Sequence, residues 1–315
     1  MAATAFLLAA GLGTRLRPLT LHRPKPLLPI CGRPLLDEAL ARLRAAGHRE
    51  ILVNAHHLWP QIAAWADANG VGLQVELPDI LGTGGGLRAA ADRLGARVVV
   101  FNGDILVDAD LGALAAAVPT GGAAMLLRAD DQISREAPVE ADESGTVTRM
   151  RDFAGAPGRG RPGTHFTGIH ACDTALLSRV PAGEACILRT AYREVLPGGL
   201  VKAVLHTGVW VDIGTPAEYL RANLDALTGR LPLVNSPWEH VPRRPDGSWV
   251  GPGVRLEGSA TTSVIGAGAR VAAGAALHDC VVWDGEHVPP GQHRGCVFFG
   301  GGQRLEVTAA ESRVS

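Results

Sequence analysis

The sequence predicts an α/β protein with a mostly parallel sheet, followed by a short left-handed parallel β-helix. Two observations predict this fold. Strand-like and helix-like patterns alternate through roughly the first 225 residues, and aliphatic residues recur every six positions after residue 250. A chain of 315 residues with 46% hydrophobic and 19% charged residues has an ordinary globular balance. The expected limits are 1–227 for the first domain, 228–249 for a linker, 250–300 for the β-helix and 301–315 for a tail.

Apolar and β-branched runs mark the strands of the first domain, and apolar residues at helical spacing mark its helices. The predicted strands are Ala5–Ala10, Glu50–Asn54, Leu73–Leu77, Arg97–Phe101, Ala123–Arg128, Thr146–Phe153, Thr164–Ala171, Leu200–Val204 and Val209–Ile213. The predicted helices are Pro34–Ala46, Trp59–Asn69, Asp173–Val180, Leu188–Val195 and Pro216–Leu227. The early strand–helix rhythm favours parallel strands with helices on both faces of the sheet.

The texture of the chain changes after the last predicted helix. Thr228–Ser248 contains four prolines and no clear periodicity, which indicates a linker. Two sets of residues six apart then follow among Gly and Ala: Val250 and Leu256 form the first, and Ile265, Val271, Leu277 and Trp283 the second, with three extra residues between the sets. Coils of this kind cannot bury an inner face alone, so they stack, and two to three coils are expected. The alternative is an irregular tail rich in Ala and Gly. A homo-oligomer formed through the β-helix is a further expectation.

Charge and cysteine usage exclude several classes of protein. The 30 basic and 31 acidic residues give a net charge of −1, which excludes a broad nucleic-acid or membrane-surface footprint. No apolar run reaches the ~18–20 residues that span a bilayer. Five scattered cysteines without a CxxC pair indicate reduced thiols in a cytoplasmic protein. The apolar N-terminal run is interpreted as the first strand, with a signal peptide as the alternative.

The most specific motif is Leu7–Ile30, LLAAGLGTRLRPLTLHRPKPLLPI, called here the N-terminal motif. Its first strand leads into a GLGTR turn, where glycines let backbone amides approach a phosphate closely. Arg15 adds a planar fork of donors suited to phosphate oxygens. Lys25, one of only two lysines in the chain, lies between two prolines. The pattern matches neither GxGxxG nor GxxxxGK[ST], and for the glycines alone a simple strand-exit turn is the alternative.

Two aspartates are candidate metal ligands. Asp104 follows the apolar strand Arg97–Phe101, and its carboxylate would emerge at the strand-end edge where open α/β sheets bind ligands. Asp212 lies within the apolar stretch Val209–Ile213, where a buried carboxylate needs a cation or a hydrogen-bond cluster. Two carboxylates and a ligand phosphate would form a Mg²⁺ site. The alternatives are an Asx-type turn for Asp104 and a helix N-cap for Asp212.

The N-terminal motif resembles the signature of the sugar-1-phosphate nucleotidyltransferase family. Three further stretches match in the expected order: LGTGGGL (Leu81–Leu87), FNGD (Phe101–Asp104) and VWVDIGTPAEY (Val209–Tyr219). The resemblance covers about residues 3–227 and implies a Rossmann-like nucleotidyltransferase domain. It also implies the reaction of a nucleoside triphosphate with a sugar-1-phosphate to give a nucleotide sugar and pyrophosphate, with Mg²⁺ as cofactor. Neither nucleic acid nor a membrane is expected as a partner.

The resemblance also implies a role for each matching residue. Arg15 is assigned to the departing β- and γ-phosphates, Lys25 to the α-phosphate and the sugar phosphate, and Asp104 and Asp212 to Mg²⁺. The expected nucleotide-binding residues are Ala10, Gly11, Gly13, Thr14, Gly84, Gly85 and Asn102. The expected sugar-binding residues are Glu76, Thr167 and Gly168. For the glycines of Leu81–Leu87, a loop that merely starts a helix is the alternative to a base-binding loop.

One departure from the family pattern limits the prediction of substrate. Many members carry an E-K-P stretch whose lysine grips the sugar phosphate, but no lysine lies between Lys25 and Lys202. Arg151 is a candidate substitute, or there is none. N-acetylmuramate-1-phosphate uridylyltransferases, which serve cell-wall or surface-polysaccharide synthesis, share the TGGG stretch and also lack E-K-P. Mannose-1-phosphate guanylyltransferases and glucose-1-phosphate thymidylyl- or uridylyltransferases are the alternatives, and a non-catalytic nucleotide-sugar sensor is the alternative of another class.

Overall fold

A computed structural model describes residues 3–129, 138–151, 153–155 and 163–307. The chain divides into two compact units, each built from stretches that are distant in sequence. The first unit is the described part of Met1–Gly11 and Arg42–Trp210, and the second is Leu12–Ala41 with the described part of Val211–Ser315. The last eight residues of the predicted tail, 308–315, lie outside the described residues.

The strands and helices are numbered in chain order. The strands up to residue 212 are β1 Ala3–Leu8, β2 Pro29–Ile30, β3 Arg33–Pro34, β4 Ile51–Ala55, β5 Gly72–Val75, β6 Leu94–Asn102, β7 Ile105–Val107, β8 Ala123–Ala129, β9 Val139–Ala141, β10 Val147–Met150, β11 Ala154–Gly155, β12 Thr164–Asp173, β13 Val201–His206 and β14 Trp210–Asp212. The later strands are β15 Trp249–Val250, β16 Arg255–Leu256, β17 Ser259–Thr261, β18 Val264–Ile265, β19 Arg270–Val271, β20 Ala275–His278, β21 Val281–Val282, β22 His287–Val288, β23 Gly291–Arg294, β24 Cys296–Phe299 and β25 Gln303–Glu306. The α-helices are α1 Leu35–Ala45, α2 Trp59–Ala68, α3 Gly82–Ala89, α4 Leu111–Ala116, α5 Arg193–Val195 and α6 Pro216–Thr228.

The first unit is organised around a seven-stranded sheet with the order β13-β8-β12-β6-β1-β4-β5. Its neighbouring strands are parallel except at β12, which runs antiparallel to both β6 and β8. The sequence prediction of a mostly parallel sheet is therefore confirmed, and the predicted strands agree with the observed ones within about three residues. Aliphatic side chains of β6 and β8, such as Val100 and Met125, are fully buried in the core of this unit. These strands fix the edge at which β1 and β6 end.

Two predicted helices of the first unit have other helical geometries. The predicted helix Asp173–Val180 is a 3₁₀ helix over Thr174–Arg179, which the side chain of Asp173 caps by accepting from the amide of Ala175. The second prediction, Leu188–Val195, covers a π-helix followed by the single turn of α5. Apolar periodicity reports which side of a segment is buried and does not distinguish between these hydrogen-bond patterns.

Residues 249–306 of the second unit, called here the C-terminal coils, form stacked parallel strands that end in β25, which runs antiparallel to β24. Trp249 pairs with Val264, which pairs with Val281, and the same repeat builds the parallel sheets β16-β19-β22 and β17-β20-β23. Ile265 and Val271 are fully buried among the coils, as the six-residue period predicts. The alternative of an irregular tail is therefore wrong, because small and aliphatic residues alternate regularly enough for successive coils to pair. The left-handed winding stays a prediction.

The C-terminal coils pack against other parts of the second unit. The indole Nε1 of Trp283 donates to the hydroxyl of Tyr219 at 3.0 Å, and that hydroxyl donates to the carbonyl of Pro29 at 2.8 Å. The guanidinium of Arg23, in the N-terminal motif, lies 4.7 Å from the centre of the Trp283 ring. Residues 229–248, most of the predicted linker, form neither helix nor strand. The coils are thus tied directly to α6 and to the segment that carries Lys25.

Candidate active site

The carboxyl ends of β1 and β6 lie side by side in the first unit. Leu8 is in register with Asn102, and the amide of Gly103 donates to the carbonyl of Leu8 at 2.9 Å. Ala10 and Gly11 follow the end of β1 by two and three residues, and Asp104 follows the end of β6 by two. A Cβ built at Gly11 would meet nothing within 4 Å, so the backbone there borders open space. This edge therefore places Ala10, Gly11, Asn102 and Asp104 at neighbouring strand ends, as the sequence predicts for a ligand site.

Three predicted site residues of the second unit form one ionic cluster. Lys25 Nζ lies 3.4 Å from Asp212 Oδ1, and Arg15 Nη2 lies 3.8 Å from Asp212 Oδ2. The Lys25 side chain is 11% exposed, whereas that of Arg15 is 67% exposed. The structure therefore brings Arg15, Lys25 and Asp212 together although they are up to 197 positions apart in sequence.

Local structure on both sides of Asp212 and Lys25 fixes this cluster. Thr215, not Asp212, caps α6, since its hydroxyl accepts from the amide of Glu218 at 3.3 Å. The alternative N-cap role of Asp212 is therefore wrong. Lys25 opens a 3₁₀ turn over Lys25–Leu27, and the proline on each side restricts its backbone. A Cβ at Gly214 would lie 2.8 Å from Arg15 Nη1, so the guanidinium rests against the backbone of the turn that follows Asp212.

Gly13 and Thr14 of the second unit belong to a tight turn. Gly13 has a φ of +60°, which favours glycine, and its carbonyl accepts from the hydroxyl of Thr20 at 2.8 Å. A Cβ at Gly13 would lie 2.8 Å from the Thr20 methyl group, so a larger residue is excluded there. The strand-exit-turn interpretation accounts for the conformation of Gly13. It leaves Gly11, whose surroundings are open, without a packing explanation.

The glycine-rich stretch Leu81–Leu87 is mainly helical, whereas the sequence suggests a loop. Gly84, Gly85 and Gly86 lie buried inside α3, and the amides of Gly84 and Gly85 donate to the carbonyl of Ala185 at 2.8 and 3.3 Å. A Cβ at Gly85 would lie 2.2 Å from the carbonyl oxygen of Gly183. Close packing of the neighbouring backbone thus requires these glycines and overrides their low helix propensity. Their role in nucleotide binding stays a prediction.

The predicted sugar-binding residues fall at two places in the first unit. Gly168, with a φ of +86°, lies so close to Asn102 that a Cβ would be 2.7 Å from Asn102 Nδ2. Thr167 donates from its hydroxyl to the carbonyl of Leu126 at 2.9 Å, within an irregular part of β12. Glu76 instead follows β5, is 1% exposed and accepts from the amide of Leu81 at 2.7 Å. The structure therefore groups Thr167 and Gly168 with Asn102, and Glu76 with the glycine-rich helix.

The sequence is similar to those of known proteins over most of its length. The family model "Nucleotidyl transferase" matches residues 4–229. The chain belongs to this family. It is 32% identical over 302 residues to the mannose-1-phosphate guanylyltransferase of Mycobacterium tuberculosis, covering 91% of this chain and 81% of that protein. It is 34% identical over 235 residues to the N-acetylmuramate alpha-1-phosphate uridylyltransferase of Neisseria meningitidis serogroup B, covering 71% of this chain and 98% of that protein.

A solved structure shares the fold of this nucleotidyltransferase. The crystal structure of HddC from Yersinia pseudotuberculosis complexed with GMP-PN superposes with a TM-score of 0.57 at 23% identity. The match covers 70% of this chain and 98% of that chain. Together with the named relatives, the family match shows an enzyme that transfers nucleotidyl groups to sugar-1-phosphates. No helix in the described part of the chain combines the length and apolar character needed to cross a bilayer.

Asp104 and Asp212 suit a magnesium ion by the chemistry of their donors. No group of three or more His, Cys, Asp or Glu side chains among the described residues could hold a metal. Magnesium does not need one, because it commonly binds one or two carboxylates together with substrate phosphates. Both side chains offer only oxygen donors, so they fit this ion. A joint role for the two remains a proposal.

Sequence reasoning gave no role to Trp210, which precedes the predicted metal ligand. Its indole Nε1 donates to the carbonyl of Thr167 at 2.9 Å, and its ring meets that of His165 edge-on at 4.9 Å between centroids. The only signal was its place two residues before Asp212. Arg151, the candidate substitute for the missing lysine, is exposed on the β9–β11 side of the unit, and its amide donates to the carbonyl of Pro138 at 2.6 Å.

Proposed function

We propose that this nucleotidyltransferase activates a sugar by direct displacement on a nucleoside triphosphate. A phosphate oxygen of the sugar-1-phosphate attacks the α-phosphorus and forms a new P–O bond. The bond between the α- and β-phosphates breaks, and its electron pair leaves with pyrophosphate. The observation that carries the proposal is the convergence of Lys25 and Arg15 on Asp212, because two polyanions can react only where fixed positive charge is provided.

The reaction needs no nucleophile from the protein. The attacking phosphate oxygen is already an anion near neutral pH, so no general base is required. Burial raises the pKa of the Cys31 and Cys172 thiols to about 12, which keeps both in the protonated, poorly nucleophilic form. Catalysis on this proposal consists of positioning the substrates and neutralising their charge.

Each cation of the cluster has a distinct proposed task. Lys25, nearly buried and fixed between prolines, would contact the α-phosphate and the incoming sugar phosphate. Arg15 is exposed and forked, which suits the β- and γ-phosphates that leave. In the substrate-free protein the carboxylate of Asp212 lies near both cations, and phosphate oxygens would compete with it. A magnesium ion held by Asp104 and Asp212 would supply further charge neutralisation at the transferring phosphate.

GTP and mannose-1-phosphate are the proposed substrates. The relative that aligns with 91% of the chain, and so extends beyond the family model's last residue into the C-terminal coils, carries the name mannose-1-phosphate guanylyltransferase. UTP and N-acetylmuramate-1-phosphate are the second candidate pair. They are favoured by the TGGG stretch, by the absence of E-K-P and by a relative whose own length is matched to 98%.

A grid of substrates tests this function. Four nucleoside triphosphates are each combined with mannose-, glucose- and N-acetylmuramate-1-phosphate in the presence of Mg²⁺, and pyrophosphate release is measured. One pair should exceed the others in kcat/KM, and omission of the sugar phosphate should abolish release. Turnover with no pair, combined with tight binding of a nucleotide sugar, would favour the sensor instead of the enzyme.

The C-terminal coils are proposed to wind left-handed and to join copies of the chain. The six-residue period supports the winding, and stacked coils present a repetitive surface that suits self-association. Size-exclusion chromatography with light scattering of the full chain and of a truncation near residue 228 tests the second point. A monomeric full chain would contradict it. We place the reaction in the cytoplasm, where nucleoside triphosphates are made.

A further inference from the structure

A buried amide and a buried carboxylate form a pair near the strand-end edge of the first unit. Asn54 lies in β4 and Glu76 directly follows β5, and the two strands are parallel neighbours. Both residues are 1% exposed. Asn54 Nδ2 donates to Glu76 Oε1 at 2.7 Å. A hydrogen bond from a side-chain amide to a buried carboxylate is strong, and loss of either partner leaves a buried polar group without its donor or acceptor.

Each member of this pair has a second bond that leads to a different predicted nucleotide-binding segment. Asn54 Oδ1 accepts from the amide of Ala9 at 2.7 Å, and Ala9 directly precedes Ala10 and the open backbone of Gly11. Glu76 Oε2 accepts from the amide of Leu81 at 2.7 Å, and Leu81 directly precedes the glycine-rich helix α3. The pair therefore bridges the end of β1 and the start of α3 through three short hydrogen bonds.

Neighbouring contacts hold the pair and the helix in one register. A Cβ at Gly86 would lie 2.6 Å from Glu76 Oε1 and 3.1 Å from Asn54 Nδ2, so the helix can approach only because that residue is glycine. Gln74 Nε2 also donates to the carbonyl of Gly86 at 2.8 Å. The separation between the two backbone segments is thus set by a few rigid contacts.

We infer that Asn54 and Glu76 are positioning residues that set the spacing of the two backbone segments on which the nucleotide is held. The inference rests on the proposed function together with the nucleotide-binding role that the family resemblance implies for Ala10, Gly11 and the glycines of α3. It assigns Glu76 a task other than direct contact with the sugar. Neither side chain needs to touch the nucleotide, and both act through the backbone they hold.

The chemistry of the two ends explains why one amide and one carboxylate are needed. Both ends of the bridge, the amides of Ala9 and Leu81, are donors, so each side chain must present an oxygen to its own end. Two amides would then leave two NH₂ groups facing each other, and two carboxylates would leave two anionic oxygens facing each other. Unless a proton is added, only an amide opposite a carboxylate satisfies all three bonds, in either order.

The experiment exploits this symmetry with three variants: Asn54→Asp, Glu76→Gln and the double variant Asn54→Asp/Glu76→Gln. The dissociation constants of fluorescent analogues of GTP and UTP are measured without sugar phosphate, and KM for both substrates is measured where turnover occurs. Each single variant should weaken nucleotide binding about tenfold or more. KM for the sugar phosphate should change by less than about twofold. The double variant, which exchanges amide and carboxylate, should recover to within about threefold of the natural protein.

Acidity gives a readout that a merely structural role would not produce. In Asn54→Asp one of the two facing carboxylates can take up a proton and donate it to the other, which restores the missing bond. Nucleotide affinity of this variant should therefore improve from about pH 8 to about pH 6, relative to the natural protein. Glu76→Gln and the double variant should show no such relative gain.

Tyr192→Phe is the matched control for lost stability. It removes a buried hydroxyl that is hydrogen-bonded to His170 Nδ1 at 2.5 Å in the same unit, and Tyr192 belongs to neither segment of the bridge. It should lower Tm and leave nucleotide affinity unchanged. The inference is overturned if the single variants bind nucleotide as the natural protein does, or if a folded double variant stays as weak as the singles. It is also overturned if KM for the sugar phosphate changes instead.

Failure of the proposed function has a different signature. If the natural protein binds nucleotide but releases no pyrophosphate with any sugar phosphate, the transfer reaction is wrong, while the binding data still decide the positioning role. If Asn54→Asp fails to fold, the positioning role is decided by comparing Glu76→Gln with the double variant. Recovery of nucleotide affinity when Asn54→Asp is added to Glu76→Gln is explained by the hydrogen-bonded bridge.

Discussion

Lys25→Met removes the ammonium group of the ionic cluster and keeps an unbranched side chain in a nearly buried position. At the observed 3.4 Å, Lys25 and Asp212 attract each other by about 5 kcal/mol for an effective dielectric constant of about 20. A substrate phosphate at a similar distance would gain a similar gross attraction, offset by lost hydration. Loss of one such electrostatic contact typically costs about 3–4 kcal/mol, so kcat/KM should fall about 10²–10³-fold.

Stability should respond far less than activity to this change. Asp212 is 35% exposed and keeps Arg15 at 3.8 Å, so the loss of its second partner should change the free energy of unfolding by only about 0–1 kcal/mol. The assay is pyrophosphate release under kcat/KM conditions, with Tm measured on the same samples.

Lys202→Met is the matched control because it removes the only other lysine of the chain. Lys202 Nζ donates to the hydroxyl of Thr146 at 2.8 Å, and kcat/KM should not change when it is replaced. The reasoning is refuted if Lys25→Met retains kcat/KM within about threefold of the natural protein, or if the control loses as much activity.

Three further predictions concern other parts of the chain. Gly11→Ala should leave Tm unchanged, because a Cβ there meets no protein atom, and should raise KM for the nucleotide because the added methyl group enters the open space beside the backbone. Gly85→Ala should instead cost about 1–3 kcal/mol of stability, since its Cβ would lie 2.2 Å from the carbonyl oxygen of Gly183. Equal Tm values for the two variants would contradict this prediction. Burial lowers the pKa of His170 from 6.5 to about 3. The unfolded chain therefore takes up a proton near pH 6.5 that the folded protein refuses, and urea unfolding should show about 2 kcal/mol of stability lost at pH 5 relative to neutral pH, a loss that must shrink in His170→Gln. Trp283→Ala should lower the free energy of unfolding by about 3–5 kcal/mol, as calorimetry would detect, and an unchanged Tm would show that the coils are not anchored through this residue.

The elements that the sequence predicts well are those governed by local pattern. The β-branched run Val98–Val100 lies in β6, and the periodic residues Ile265 and Val271 lie inside the C-terminal coils. Local pattern could not reveal that most of Leu81–Leu87 is helical. The glycines are needed there because the backbone at Gly183 packs closely against the helix, and this contact is not visible in the local sequence. A run of glycines favours a loop unless a neighbouring segment packs so closely that only residues without a side chain fit there.

Long-range contacts account for most of what sequence reasoning could not supply at the site. The motifs identify Lys25 and Asp212 separately, but their 3.4 Å contact depends on chain segments 187 positions apart. Glu76 illustrates the same limit, since the family resemblance implies a sugar contact for it. Its observed partners, Asn54 and Leu81, are visible only once β4 and β5 are paired.

The role proposed for the ionic cluster would also explain why a protein with almost balanced charge can act on highly charged substrates. The 30 basic residues are balanced by 31 acidic ones. A general excess of positive charge would attract polyanions to the whole surface and not to one site. Here Arg15 and Lys25 are instead concentrated around one carboxylate, which holds them in place before substrate arrives and prevents mutual repulsion from separating them. Cations that are already oriented need little reorganisation as charge moves from the α-phosphate to the leaving pyrophosphate. On this view Asp212 contributes to catalysis twice, as a candidate metal ligand and as the anchor that keeps the two cations preorganised.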